Sequence, residues 1–331
     1  MESDRVSSTP ITEVNPLKSQ YLDINGYTTT LGEMRLGDSL EFLKSQNGHA
    51  LKESVSTIVT SPPFPLLSEK SYGNLEGKEY VDWLCSFAQP LREIMKPDAS
   101  LFIEIGNTWI SGEPAMSMIP LKALMAFAES GNYTICQHLI YHNPARPPGP
   151  ASWVTAKRLR LKDDFTHWFW LGKSADVRAD NSAVLKEYSP AMTKLLEKKL
   201  DTSGTRPSAH KINGKNFFKD NGGSIAGSVI SIPNTGWDNY HRWCTNEEIT
   251  AHPARMPFDL ARFFIDLTST TGDLIFDPFG GSNTVGAAAE VLARRWMTVD
   301  LEPQYIAGSL GRFVDESGTL PIDLKVSRTN G

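Results

Sequence analysis

Two stretches of the 331-residue chain pair reactive residue types with a backbone that can hold them still. The first is Ser61-Pro62-Pro63-Phe64. It follows Ser56-Thr57-Ile58-Val59-Thr60, a β-branched, apolar run that reads as a short buried strand. Two prolines remove two backbone donors, so pairing must stop there. The rigid turn leaves Ser61 Oγ and the Pro62 carbonyl able to accept from one amino group, and Phe64 offers a flat apolar face. The same four residues would also serve as a strand stop with a buried Phe. The second stretch is Phe276-Asp277-Pro278-Phe279-Gly280-Gly281-Ser282-Asn283-Thr284, between an expected strand at 273–276 and an Ala-rich helix at 285–293. Its glycines allow a tight turn beside a ligand. The next strand, 296–299, runs into Asp300, where a doubly wound sheet places a carboxylate against ribose hydroxyls. A nucleoside cofactor follows from this pattern, although a tight turn with a satisfied Asp cap would use the same residues. Neither G-x-G-x-x-G nor G-x-x-x-x-G-K-[ST] occurs, so a phosphate cradle is poorly supported.

The elements that must position these residues can be read from periodicity. Asp38, with Glu41 three residues on, marks a helix start as a capping box. Helical spacing runs from Tyr80 to Met95, ended by Lys96-Pro97-Asp98, and strand character follows at 101–105. A helix at 120–129 leads to a strand at 135–141, and another helix covers 256–267. Strands alternating with helices predict an α/β fold, a mostly parallel sheet with helices on both faces. The Ser- and Thr-rich residues 1–30 read as a poorly ordered arm. The proline cluster at 143–150 marks a boundary.

Composition narrows the function classes. The chain carries 33 basic and 38 acidic residues, a net charge of −5, and is 40% hydrophobic, which excludes disordered and fibrous classes. No apolar run approaches the length of a membrane span, and the first ten residues lack the apolar stretch of a signal peptide. Three cysteines cannot build a disulfide framework and fit a reducing, cytoplasmic setting. The charge is uneven: residues 141–220 hold 15 Lys and Arg against 8 Asp and Glu. One basic segment in an acidic protein points to a localised surface for a polyanion, although a solvated loop region would look similar. Trp153 beside Lys157, Arg158 and Arg160 is a candidate DNA contact. Trp168-Phe169-Trp170 reads rather as core. Cys136, His138 and His142 lie close together, but strand packing explains them better than a metal site, because no C-x-x-C or H-E-x-x-H accompanies them.

Taken together, and in this order, these segments resemble the amino-methyltransferases that act on DNA, specifically the cytosine-N4 branch of bacterial restriction–modification enzymes in the permuted β class. The resemblance covers nearly the whole chain from about residue 30. It implies a Rossmann-like methyltransferase sheet with an inserted target-recognition region, S-adenosylmethionine (SAM) as cofactor and double-stranded DNA as substrate. Ser61-Pro62-Pro63-Phe64 is similar to the catalytic motif, whose first residue tends to be Ser in cytosine-N4 enzymes and Asp or Asn in adenine-N6 enzymes. Asp277, Phe279, Gly280, Gly281, Ser282, Asn283 and Thr284 match the SAM loop, and Asp300 the ribose acid. Gly37-Asp38 resembles the adenine contact, and His252-Pro253 the entry to the helix that meets the methionine part. The basic segment falls where target recognition lies, with Arg206, Lys211 and Lys219 as further DNA contacts. The implied organisation is an arm (1–30), a catalytic half (31–150), a target-recognition region (151–245) and a SAM-binding half (246–331). The implied enzyme flips its base out of the duplex, needs no metal, and works as a monomer or weak dimer beside a possible endonuclease of the same site. No Cys follows a Pro, which argues against carbon-5 chemistry. An adenine-N6 enzyme of the same fold is the nearest rival. A nicotinamide oxidoreductase lacks its glycine fingerprint, and a DNA-binding module without activity leaves Ser61 and the Gly280-Gly281 loop unexplained.

Overall fold

The computed structural model describes residues 20–65, 77–198, 219–235 and 238–328, together with the backbone of 204–205 and 211–212. Its strands are β1 (Ile24–Thr28), β2 (Gly32–Leu36), β3 (Val55–Thr60), β4 (Met95–Gly106), β5 (Thr108–Trp109), β6 (Met116–Ser117), β7 (Thr134–His142), β8 (Phe165–Gly172), β9 (Gly204–Thr205), β10 (Lys211–Ile212), β11 (Val229–Ser231), β12 (Leu274–Asp277), β13 (Arg295–Asp300) and β14 (Lys325–Arg328). Ten of them form one sheet in the order β11-β7-β8-β4-β3-β12-β13-β2-β1-β14. Within it β8 and β1 alone run against the rest. The sheet is therefore mostly parallel, as the alternation of elements predicts.

Its helices are α1 (Ser39–Lys44), α2 (Gln46–His49), α3 (Gly77–Ser86), α4 (Ala88–Ile94), α5 (Ile119–Ser130), α6 (Pro190–Lys198), α7 (Asn239–Asn246), α8 (Phe258–Thr268), α9 (Thr284–Val291) and α10 (Pro303–Ser309). Side-chain alternation along the strands feeds two cores. Leu101, Ile103 and Ile105 of β4 join Leu84, Leu91 and Phe127 of α3, α4 and α5 on one face. Phe102 points the other way, to Phe264 of α8 and the Ala-rich α9. Burial on both faces is why the central strands read as continuous apolar runs.

The structure departs from the sequence reading at three places. Residues 24–28 are not part of a loose arm: Ile24 and Tyr27 are each 1% exposed, and β1 pairs with both β2 and β14. The expected helix at 80–95 is two helices meeting at Phe87. Pro90 explains the break, because it has no N–H for the Ser86 carbonyl and its ring crowds that group. β4 then begins at Met95, with Pro97 accommodated where the register with β3 slips between Met95 and Ser100. Finally, the sheet takes in β8 and β11, both inside the 151–245 stretch expected to form a separate region. Trp168 is fully buried there and Phe169 nearly so, as their core assignment predicts. Among the described residues no helix is long and apolar enough to cross a membrane.

Candidate active site and cofactor cradle

β3 and β12 are neighbours, and their chains leave in opposite directions. β3 leads through α3 and α4 to β4 on one side, and β12 leads through α9 to β13 on the other. The crevice at such a switch point, outside the carboxyl ends of parallel strands, is where open α/β sheets bind ligands. Both loops singled out in the sequence emerge there.

On the β3 side, Ser61 is half-buried and its hydroxyl lies close enough to the carboxyl group of Glu104 on β4 to lower that acid's pKa. Glu104 is 7% exposed and also accepts from Thr166 Oγ1 at 2.7 Å. Burial raises its pKa, although the hydroxyls of Thr166 and Ser61 and the charge of Arg146 pull the other way. The turn is braced from outside: Tyr80 OH donates to the Pro63 carbonyl at 2.9 Å, and Thr108 Oγ1 to the Pro65 carbonyl at 2.9 Å. Among the described residues nothing donates to the Pro62 carbonyl, which stays available as an acceptor. The Phe64 ring lies on the backbone of Gly106, where a Cβ would come within 2.6 Å of it. Glycine is required at 106 for that approach.

On the β12 side, Asp277 is 3% exposed. Its Oδ1 accepts from Thr60 Oγ1 at 2.7 Å and from Phe279 N at 3.0 Å, tying the end of β3 to the loop after β12. Burial pushes its pKa up to about 7, and neighbouring Asp300 adds to the shift. Asp300 ends β13 and accepts from Gly281 N at 2.6 Å and Glu302 N at 2.9 Å. Each of its oxygens keeps a lone pair for a hydroxyl, and burial raises its pKa too. Gly281 has a φ of +51°, and a Cβ there would sit 3.2 Å from the His252 ring. His252 is itself fixed, by its N–H to Tyr240 OH at 2.7 Å and by edge-on packing against Tyr305. Asn283 adopts φ +53° and caps α9, its side chain bound to Tyr27 OH, Thr298 Oγ1 and Gly286 N. Its amide is committed to the fold. Phe279 packs in an aromatic cluster with Trp83 and Phe87. Asp38 caps α1 through the N–H groups of Leu40 and Glu41, and Ser39 donates to the Pro278 carbonyl. The reciprocal Glu41 bond of a capping box is absent among the described residues. Pro253 is exposed at the same rim.

Three residues here escaped the sequence reading. Glu104 sits in an apolar strand with no motif around it. Arg312 donates to Ser282 O at 3.2 Å and Thr284 Oγ1 at 3.2 Å and pairs with Asp238 at 2.5 Å, so it ties the loop to the start of α7. Leu301, directly after Asp300, is 67% exposed on the open rim. A buried acid one strand away from a reactive Ser was the only available signal for Glu104.

The cradle suits a cationic nucleoside cofactor. Asp277 and Asp300 are buried side by side, and among the described residues no Lys or Arg forms an ion pair with either. The backbone at Gly281 leaves no room for a side chain, and Asp300 presents free lone pairs. A sulfonium nucleoside such as SAM would bring the opposite charge and the ribose hydroxyls.

The candidate DNA contacts divide. Lys157 Nζ stacks over the Trp153 ring at 4.3 Å, and Arg158, Arg160 and Lys219 are exposed. Lys211 lies in the β9–β10 hairpin, described for its backbone only, and Arg206 lies outside the described residues. Cys136, His138 and His142 do not converge: His138 meets His167 at 3.0 Å and His142 meets Ser231 at 3.0 Å. Among the described residues no group of three or more His, Cys, Asp or Glu could hold a metal ion.

A family described as DNA methylase matches residues 55–310. The Type II methyltransferase M.PvuII of Proteus hauseri is 40% identical over 294 residues, covering 88% of this chain and 86% of that protein. A solved structure named PvuII DNA methyltransferase (cytosine-N4-specific) superposes with a TM-score of 0.70 at 33% identity, over 87% of this chain and 88% of that one. The M1.HpyAVI–SAM complex shares the fold at 17% identity and a TM-score of 0.50, over 85% and 98% of the two chains. With both loops on one rim, and with these matches spanning most of its length, the chain belongs to the DNA methylase family.

Proposed function

We propose that this protein is a site-specific DNA methyltransferase that moves a methyl group from SAM to the exocyclic N4 of cytosine in double-stranded DNA, in the cytoplasm, protecting DNA beside a restriction endonuclease of the same site. The carrying observation is that Ser61, at the end of β3 and beside buried Glu104 of the neighbouring β4, shares one rim with the Gly281–Asp300 cradle. The relative named cytosine-N4-specific supports the choice of base.

The cytosine amino group is a poor nucleophile because its lone pair is delocalised into the ring. Ser61 Oγ and the Pro62 carbonyl accept its two N–H hydrogens and draw that pair back to nitrogen. SAM, when bound, supplies an electrophilic methyl carbon on a sulfonium. Asp300 and the Gly281 turn hold the ribose end, with Asp38, His252, Pro253, Phe279, Gly280, Ser282 and Thr284 completing the cradle. Once nitrogen has gained carbon it carries one proton too many. Ser61 can accept that proton while passing its own to Glu104, whose raised pKa suits the role. The base must leave the stack to reach the crevice, with Phe64 as the surface it lies against. Trp153, Lys157, Arg158, Arg160, Arg206, Lys211 and Lys219 supply the phosphate-side contacts that offset the unstacking. We assign target recognition to the loops around β8 and β11 and to the chain between those strands, since the strands themselves are core.

Ser61→Ala tests this reading. Methyl transfer should fall by about 10²–10⁴-fold, while calorimetry shows cofactor affinity unchanged. Equal turnover by the variant would remove Ser61 from the mechanism.

A further inference from the structure

A flipped base leaves a gap in the duplex, and something must keep its neighbours from closing over it. Among the described apolar residues on this side of the molecule, Leu161 is held furthest out into solvent. Leu161 is 89% exposed, although every residue around it is tied down. Arg160 N donates to the Trp153 carbonyl at 3.3 Å, and Arg160 Nε to the Pro114 carbonyl at 2.9 Å. Lys162 Nζ reaches the Pro144 carbonyl at 3.0 Å. Asp163 N donates to the Gly149 carbonyl at 2.9 Å, and the Asp163 carboxylate accepts from Asn107 Nδ2 at 2.7 Å and Trp109 Nε1 at 3.3 Å. A leucine in a loose loop would fold back onto apolar surface, but here the pins on both sides prevent it.

Its position is set by the same pins. Asn107 directly follows Gly106, on which Phe64 rests, and Thr108 braces the Pro65 carbonyl. Leu161 is two residues from Asp163, so their Cα atoms are at most ~7 Å apart. The local charge is arranged for a polyanion. Lys157, Arg158 and Arg160 are exposed, whereas Asp163 is turned to Asn107 and Trp109, and Asp164 pairs with Lys162. Single exposed leucines are ordinary on protein surfaces. A rigidly presented one, close in sequence to exposed cations and tied to Asn107 and Trp109 beside the end of β4, has the form of an apolar wedge that enters a base step.

We propose that Leu161 inserts into the duplex at the position the target cytosine vacates and stabilises its flipped state. This rests on the methyltransferase reading above and adds the residue that makes the flip favourable. The test compares wild-type protein with Leu161→Ala and Leu161→Met on two synthetic duplexes carrying the site mapped from DNA methylated by the wild-type protein. In one duplex the target cytosine is paired with guanine; in the other it faces an abasic site and needs little energy to leave the stack. Leu161→Ala should methylate the paired duplex about tenfold more slowly, recover to near the wild-type rate on the abasic duplex, and be rescued on the paired one by Leu161→Met. Equal rates for Leu161→Ala and wild type on the paired duplex would overturn the wedge, as would an equal loss on both duplexes. Failure of the wild-type protein to methylate any DNA in the mapping step would sink the methyltransferase reading instead.

Discussion

Strand β12 is bracketed by two aspartates with opposite electrostatics. At its amino end, Asp273 is bound by Lys96 at 3.0 Å, Arg178 at 2.6 Å, Ser56 Oγ at 2.7 Å and Thr270 N at 2.8 Å. Burial alone would raise its pKa, but the hydrogen bonds of Ser56, Thr270 and Lys96 hold it well below the usual carboxylate range. At the carboxyl end, Asp277 has Thr60 and Phe279 N for company and Asp300 as a like-charged neighbour, and its pKa stands near 7. The residue type is the same and the separation is one short strand. The amino end is a completed structural joint, whereas the carboxyl end carries uncompensated negative potential where both loops meet. Perturbed carboxylates without a counter-ion make this rim a candidate functional site.

Substitutions that break this contrast rank by expected effect. Glu104→Gln should slow methyl transfer by about 10–10²-fold. In the wild type the rate should rise with pH through the raised Glu104 pKa, and that acid limb should vanish in the variant's pH–rate profile. Asp300→Ala should weaken cofactor binding by about 10–100-fold, the worth of charge-assisted hydrogen bonds, as read by calorimetry on a protein with an unchanged circular dichroism spectrum. Asp273→Asn should lose about 1–3 kcal/mol of unfolding free energy in urea at pH 7. Because the folded pKa of Asp273 is depressed, its contribution is present above about pH 4 and is lost as pH falls through the folded value. Asp277→Asn should show the reverse trend and the smallest effect at neutral pH. Its folded pKa is raised, so its contribution is full below about pH 4 and disappears as pH rises through about 7. Urea titrations of the cofactor-free protein at pH 5 and 8 should therefore show a slope in the wild type that Asp277→Asn flattens.

The part of the molecule legible in the sequence is the part governed by local rules. Proline pairs, glycine turns and β-branched runs announced Ser61–Phe64, Phe276–Thr284 and the strands before them, because each constrains its own backbone. Strand β1 was missed because Ile24 and Tyr27 are buried by β14, some 300 residues away in the chain. β8 was masked by its surroundings: a basic stretch drew attention to charge, while its own aromatic and β-branched residues fit a central strand. Glu104 and Arg312 join the candidate site from positions far along the chain from Ser61 and Ser282, and nothing beside them in sequence marks that placement. The helix break at Phe87 was legible in principle, since Pro90 sits four residues after the carbonyl it displaces.

The identity of the methylated base decides between the cytosine-N4 and adenine-N6 chemistries. The direct measurement is mass spectrometry of nucleosides from DNA incubated with the purified protein and methyl-labelled SAM. Label in N4-methylcytosine is the predicted result. Label in N6-methyladenine, or in neither base, would contradict it.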